Sequence, residues 1–322
     1  MKAMVRERYG APLQARELPD PGVGPAGVLV EVRAAGVDQG VWHVVEGLPY
    51  AVRLAGFGVR RPKRPVPGLD VAGVVAAVGP QVRGLAVGDE VFGAADGSFA
   101  QLAASDERRL ARKPARLSFA QAAVVASSGV AALQGLRDAG RLQPGRRVLV
   151  LGAAGGVGTF AVQIAVALGA EVTGVCSTAK TDLVRSLGAA SVLDYTRGEP
   201  AGQWDLVLDT GGARTLTALR RLLTPTGTLV IVGAEGGGRW LQGSDRQLRA
   251  GLLGRFGRRR MAGLLSRVAP EPLETLRAML DDGRVSPVVD RTFPLEQAAE
   301  AIAYMRAGQT KGKVALTLSS RL

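Results

Sequence analysis

The sequence predicts an α/β protein in two parts, a small β-rich domain and a doubly wound domain on a parallel sheet. Three observations carry this expectation. The chain has 322 residues, more than one hydrophobic core usually covers. Residues 1–110 hold short β-branched runs cut by glycine and proline. Beyond residue 120, continuous apolar runs alternate with helical stretches, the pattern of a parallel sheet covered on both faces.

In the first part, VLVEVRAAGV (28–37), DVAGVVAAVG (70–79) and DEVFG (89–93) read as strands. Strands this short and this closely spaced predict a partly closed β-domain. The stretch RLAGFGVRRPKRPVPG (53–68) is rich in glycine, proline and base, and reads as a loop. SFAQAAVVASSGVAALQGLRDAG (118–140) is small, apolar and helical. Strands RRVLVLG (146–152), EVTGVC (171–176), SVLDY (191–195), DLVLDTGG (205–212) and GTLVIVG (227–233) then alternate with helical GTFAVQIAVALG (158–169), KTDLVRSLGA (180–189) and ARTLTALRRLL (213–223). Right-handed crossovers make this a doubly wound sheet. The segment after 234 reads as loop and basic helices. PLETLRAMLDDG (272–283) reads as a helix ended by Gly283, and 287–318 as strand, helix, strand.

Composition narrows the function classes. Hydrophobic residues make up 47% of the chain, yet no apolar run reaches the roughly 18 residues that span a bilayer. The start, MKAMVRERYG, is charged and lacks a signal-peptide apolar region, so a cytoplasmic protein is expected. There is one cysteine, Cys176, and one histidine, His43. Zinc sites are built mainly from several Cys and His ligands, so no metal site is expected. The net charge of +13 rests on six lysines and 35 arginines. Such a balance suits nucleic acid or an anionic membrane. The arginines are scattered, however, except in RQLRAGLLGRFGRRR (246–260). The overlapping stretch LLGRFGRRRMAGLLSRV (252–268) has the makings of a basic amphipathic helix. Its internal glycines oppose a stable lone helix, and Phe256 is isolated where base stacking needs several aromatics.

The most informative stretch is AAGGVG (153–158). It directly follows a buried strand and opens a helix, the context a dinucleotide site requires. Gly155 lets the backbone approach a pyrophosphate, and Gly158 lets helix and strand pack closely. The helix N-terminus offers free N–H groups and partial positive charge. Ala153 replaces the first glycine of the usual pattern. The second strand ends in Cys176-Ser177-Thr178, with Lys180 just beyond. An NAD site places an acid there to bond the ribose hydroxyls. Hydroxyls and a lysine suit a 2′-phosphate instead, so NADPH is the expected cofactor. Lys180 has an alternative reading as a solvated residue at a helix start.

The order and spacing of DVAGVVAAVG, VGDEVFG, LGAAGGVG, VCSTAK, RSLGAASVLDY, DLVLDTGG, GTLVIVG and GKVALTL resemble the medium-chain dehydrogenase/reductase family, in its zinc-independent quinone oxidoreductase branch. The resemblance implies a GroES-like catalytic domain over 1–121, completed by 270–322, and a Rossmann NADPH-binding domain over 122–269. It also implies a homodimer, with the sheet edge near GTLVIVG as the contact. It places Ala154, Gly155, Gly156 and Val157 at the pyrophosphate, Ser177 and Lys180 at the 2′-phosphate, and Tyr195 near it. Thr210, Gly233 and Ala234 would lie near the adenine-side ribose or the nicotinamide. Zinc-dependent relatives carry Gly-His-Glu where this chain has Gly68-Leu69-Asp70, and a metal-binding cysteine that GVDQGVW lacks. Zinc-free relatives often show Asn-Pro-x-Asp before Trp-His, whereas this chain reads Asp38-Gln39-Gly40-Val41-Trp42-His43. Ala131 stands where relatives often have threonine.

Without a metal, a simple carbonyl is poorly polarised. An enone or quinone spreads the incoming charge as an enolate or phenolate, and one or two hydrogen-bond donors then suffice. Three residues are candidates for that role. His43 has a ring that can give a proton, or it is a packed histidine beside Trp42. Tyr50 follows the Gly47-Leu48-Pro49 turn, and either reaches substrate or anchors the loop. Asp38 either bonds a substrate hydroxyl or forms a turn. The expected function is a zinc-independent, NADPH-dependent reductase of a quinone or α,β-unsaturated carbonyl. The alternatives are a dedicated biosynthetic enoyl reductase, or a low-turnover NADPH-binding protein attached to membrane or nucleic acid through 246–260.

Overall fold

A computed structural model describes residues 1–233, 238–241, 243–254 and 258–320. The chain forms two compact units, Met1–Ser127 with Val268–Asp281 and Pro287–Leu322, and Ser128–Arg267 with Asp282–Ser286.

The first unit is built around one long strand. After the antiparallel pair β1 (Lys2–Val5) and β2 (Gln14–Glu17) comes β3 (Gly27–Val37), in which Val28, Val30 and Val32 are buried at every second position. This is the period of a strand with one face in a core. Helix α1 (Gln39–Glu46) follows, and a short α2 (Tyr50–Val52) runs into a π-helical turn at Arg53–Phe57, where the sequence predicts only loop. Strands β4 (Asp70–Val78), β5 (Glu90–Ala94), β6 (Leu102–Asp106) and β7 (Leu110–Arg112) precede α3 (Phe119–Ala122) and α4 (Ala126–Leu133). β3 pairs antiparallel with β4 and with β6.

The second unit carries a six-stranded sheet. In chain order its strands are β8 (Arg147–Leu151), β9 (Glu171–Cys176), β10 (Ser191–Asp194), β11 (Trp204–Asp209), β12 (Leu223–Ile231) and β13 (Arg260–Gly263). Spatially they run β10-β9-β8-β11-β12-β13, and every pairing is parallel. Numbered within the sheet, this is 3-2-1-4-5-6, the doubly wound order that reverses direction between its first and fourth strands. The crossovers hold α5 (Gly156–Ala167), α6 (Thr181–Ser186), α7 (Leu216–Arg221) and α8 (Ser244–Leu253). Leu149, Leu151, Val175, Val207, Leu229 and Ile231 form the buried cluster, as expected of strands covered on both faces.

The chain then returns to the first unit. Helix α9 (Pro270–Asp281) is followed by β14 (Val289–Pro294), α10 (Ala298–Arg306) and β15 (Lys313–Thr317). β15 pairs antiparallel with β3, so the last segment completes the first sheet.

The stretch 252–268 is not one basic helix, because α8 ends at Leu253 and 260–263 form a strand. The segment 246–260 holds all but the first two residues of α8 and then Arg260, the first residue of strand β13, which no pattern in the sequence announces; 255–257 lie outside the described residues. GTLVIVG lies in and just beyond β12, which pairs with β11 on one side and with the edge strand β13 on the other. Among the described residues no helix is long and apolar enough to cross a membrane.

Candidate functional site

The glycine turn joins β8 to α5. Gly152 has a φ of 77°. Its N–H and that of Ala153 donate to the Val175 carbonyl at 3.2 and 3.0 Å, which ties the turn to the end of β9. A β-carbon on Gly158 would lie 2.0 Å from the Gly152 carbonyl oxygen, so only glycine lets the helix sit this close. Gly155 is the N-cap and has no side chain to bond the first turn. The first intrahelical bond runs from Thr159 N–H to Gly155 at 2.9 Å. The N–H groups of Gly156, Val157 and Gly158 therefore precede the helix's own acceptors, as at any helix start. Ala154 is buried. Thr210, just after β11, donates its hydroxyl to Leu151 at 2.7 Å, and Gly233 packs against it, where a β-carbon would lie 2.6 Å from the Thr210 carbonyl oxygen. Both positions are at the carboxyl ends of their strands, where open α/β sheets bind ligands. Ala234 lies outside the described residues.

At the end of β9, Ser177 precedes a 3₁₀ turn over Thr178–Lys180. The adjacent strand β10 ends in Asp194, in register with Cys176. Asp194 accepts bonds from the hydroxyls of Thr178 and Thr196 and from the Thr196 N–H. These bonds, the Thr178 hydroxyl first, hold its carboxyl below the usual range. Burial, then the Asp194 charge, pushes the Cys176 thiol up, while Lys180 and Arg185 pull it down. Two cations and one anion thus share this corner. Tyr195 is 52% exposed beside it, its N–H donating to Cys176.

In the first unit, Asp38 caps α1, its Oδ1 accepting from Val41 N–H at 2.9 Å. His43 sits in the last turn, with Nδ1 2.9 Å from the Leu48 carbonyl oxygen and its ring edge-on to Trp42. A carbonyl only accepts, so Nδ1 carries a hydrogen and the neutral ring keeps its lone pair on Nε2. The Arg53 guanidinium stacks over the rings of Tyr9 and Tyr50 and donates to the Gly47 carbonyl. His43 and Tyr50 therefore flank one anchored turn, whereas Asp38 works at the other end of α1. Arg306 of α10 lies 3.8 Å over the Trp42 ring and bonds Gln39, fixing the helix from outside.

Asp38 also meets groups that no sequence motif singles out. Val37 pairs with Val314, which brings Lys313 beside Asp38. The Lys313 ammonium is 3.7 Å from Asp38 Oδ2 and 4.0 Å from Asp70 Oδ2. Asp70 is fully buried and accepts from the Ser127 N–H at 3.0 Å and from its hydroxyl. Burial pushes Asp70 up to about 7, against the Lys313 charge. The only sequence signal for this cluster is a charged residue at the head of two apolar strands, GLDVAGVV and GKVALTL.

Two family models cover most of the chain. Residues 24–190 match the alcohol dehydrogenase GroES-like domain, and 187–316 match the zinc-binding dehydrogenase model. The chain belongs to the medium-chain dehydrogenase/reductase family. It is 33% identical over 279 residues to 2-methylene-furan-3-one reductase of Solanum lycopersicum, covering 78% of this chain and 63% of that one. It is 32% identical over 314 residues to the trans-enoyl reductase pgmF of Aspergillus terreus, covering 91% and 86%. The solved quinone oxidoreductase of Coxiella burnetii superposes with a TM-score of 0.84 at 25% identity, covering 99% of both. The chain spans only 13% and 8% of two Streptomyces polyketide synthase proteins that it also matches.

The zinc in one model's description does not fit this member of the medium-chain family. Its one cysteine lies in β9 and its one histidine is bonded to Leu48 through Nδ1. Among the described residues no group of three or more His, Cys, Asp or Glu could hold a metal. A nicotinamide dinucleotide does fit: the turn at 152–158 has glycine where backbone must come close, and an uncapped helix start. Arg246 and Arg259 of the basic segment are engaged internally. Arg246 pairs with buried Asp209 at 2.6 Å, and Arg259 donates to the carbonyls of Leu223 and Thr224.

Proposed function

We propose that the chain is an NADPH-dependent reductase that delivers a hydride to an α,β-unsaturated carbonyl or a quinone without a metal. The observation that carries this reading is the end of β9, where Ser177 and Lys180 stand in place of the acid of an NAD site, beside a turn shaped for a pyrophosphate. The named activities of the tomato and Coxiella proteins support the acceptor class. When bound, the nicotinamide supplies the hydride. The chain's own residues do the rest. Ala154 to Val157 line the pyrophosphate, with the backbone N–H groups of Gly156 and Val157 as donors because that of Gly155 is bonded to Gly152, and Ser177, Lys180 and Tyr195 hold the 2′-phosphate. Thr210 and Gly233 flank the ribose or nicotinamide. Charge developing on the acceptor oxygen needs a donor. Tyr50 has a hydroxyl to offer, and His43 can give a proton only as the doubly protonated ring, since its Nδ1 hydrogen is committed to Leu48. Asp38, spent on capping α1, has a positioning role.

A dedicated enoyl reductase is the second reading, favoured by the likeness to pgmF over 91% of the chain. Steady-state oxidation of NADPH, with NADH as the paired control, across simple enones, quinones and enoyl thioesters separates the two. Turnover of simple acceptors, unchanged after exhaustive chelation, supports the first. Turnover of enoyl thioesters alone supports the second. Activity lost on chelation and restored by zinc would overturn both.

A further inference from the structure

We infer that Asp38, Asp70 and Ser127 form a cation site in which the ammonium of Lys313 is the resident cation. The side chains reach one point from four places: the cap of α1, the first residue of β4, helix α4 and the first residue of β15. Strand order fixes their meeting, because β3 lies between β4 and β15 and ends at Val37. The enclosure is tight. A β-carbon on Gly36 would lie 2.6 Å from the Ala123 carbonyl oxygen and 2.9 Å from Asp70 Cβ.

Asp70 is fully buried and Asp38 partly so, and a buried carboxylate with no positive partner is costly. Lys313 is 3% exposed, and among the described residues its Nζ has no hydrogen-bond partner. At 3.7 and 4.0 Å it lies outside direct hydrogen-bonding range of either carboxylate. It therefore acts as a point charge shared by both, as an ion would, but held on a tether. The donors are all oxygens, two carboxylates and a hydroxyl, which suit a hard divalent cation rather than zinc. The lysine makes that ion unnecessary and anchors Asp38, the cap of the helix that bears His43. The inference stands apart from the reductase reading, and its test uses no turnover.

The test is thermal unfolding of the full chain carrying Lys313→Met, at about pH 8, above the raised value of Asp70. Without metal, the variant is expected to melt at least about 5 °C below the parent. Millimolar Mn²⁺ or Ca²⁺ is expected to restore half of that loss or more, and to leave the parent unmoved. A variant that melts with the parent, or melts lower with no response to either cation, overturns the inference. Should Lys313→Met not fold, the double variant with Asp70→Asn removes the surplus carboxylate and is expected to fold. A double variant that also fails to fold would mean Lys313 acts by packing rather than charge, and the inference falls.

Discussion

Gly158 and Lys180 carry the binding argument at the scale of single residues. No side chain fits at Gly158, because the helix start rests on the Gly152 carbonyl. Gly158→Ala is expected to cost about 1–3 kcal/mol by overpacking and to weaken NADPH binding more than tenfold, read by urea unfolding and fluorescence titration. Lys180 shares its corner with Arg185 and the ionised Asp194. Reversing its charge sets two anions against a 2′-phosphate. Lys180→Glu is expected to weaken NADPH binding at least about tenfold, with NADH binding within about twofold of the parent. An unchanged preference would refute the role of Lys180. Both residues were legible in the sequence because the turn and the strand end are contiguous motifs. The partnership of Asp70 with Lys313 was not, because it exists only once β4, β3 and β15 lie side by side.

Among elements, the carboxyl end of β11 is held to α8 by one ion pair. Asp209 is almost wholly buried, and Arg246 bonds both its carboxylate and the Gly212 carbonyl. Removing one partner strands the other. Arg246→Met is expected to lower stability by about 3–5 kcal/mol, measured by denaturant unfolding. A loss under about 1 kcal/mol would show that the pair is screened like a surface bridge. By its sequence neighbours Arg246 belongs to a charge-rich run, and such runs usually face solvent. Its burial follows from Asp209 ending an otherwise apolar strand, a contact no local pattern displays. The same reasoning explains why β13 was missed: RMAG is too short to show a period, and its parallel register with β12 specifies it. The other five strands of this sheet were legible because continuous apolar runs between helical stretches leave few alternatives.

For the whole molecule, the buried carboxyl of Asp70 leaves a signature in stability against pH. Burial raises it to about 7 in the folded state, above its unfolded value, so the folded chain binds that proton more tightly. Its contribution to stability is therefore full at low pH and is lost as pH rises from about 4 through about 7. Asp70→Asn is expected to flatten that part of the profile, measured by thermal unfolding across the window; an unaltered slope would place the titration elsewhere. The central claim is hydride transfer from NADPH to a conjugated acceptor. Its most direct test is a single turnover with NADPH deuterated at C4, using enones and quinones. The account predicts isotope-sensitive oxidation of NADPH and, with an enone, deuterium on the β-carbon of the product with a solvent proton on the α-carbon. Tight NADPH binding with no isotope-sensitive oxidation by either acceptor class would contradict it.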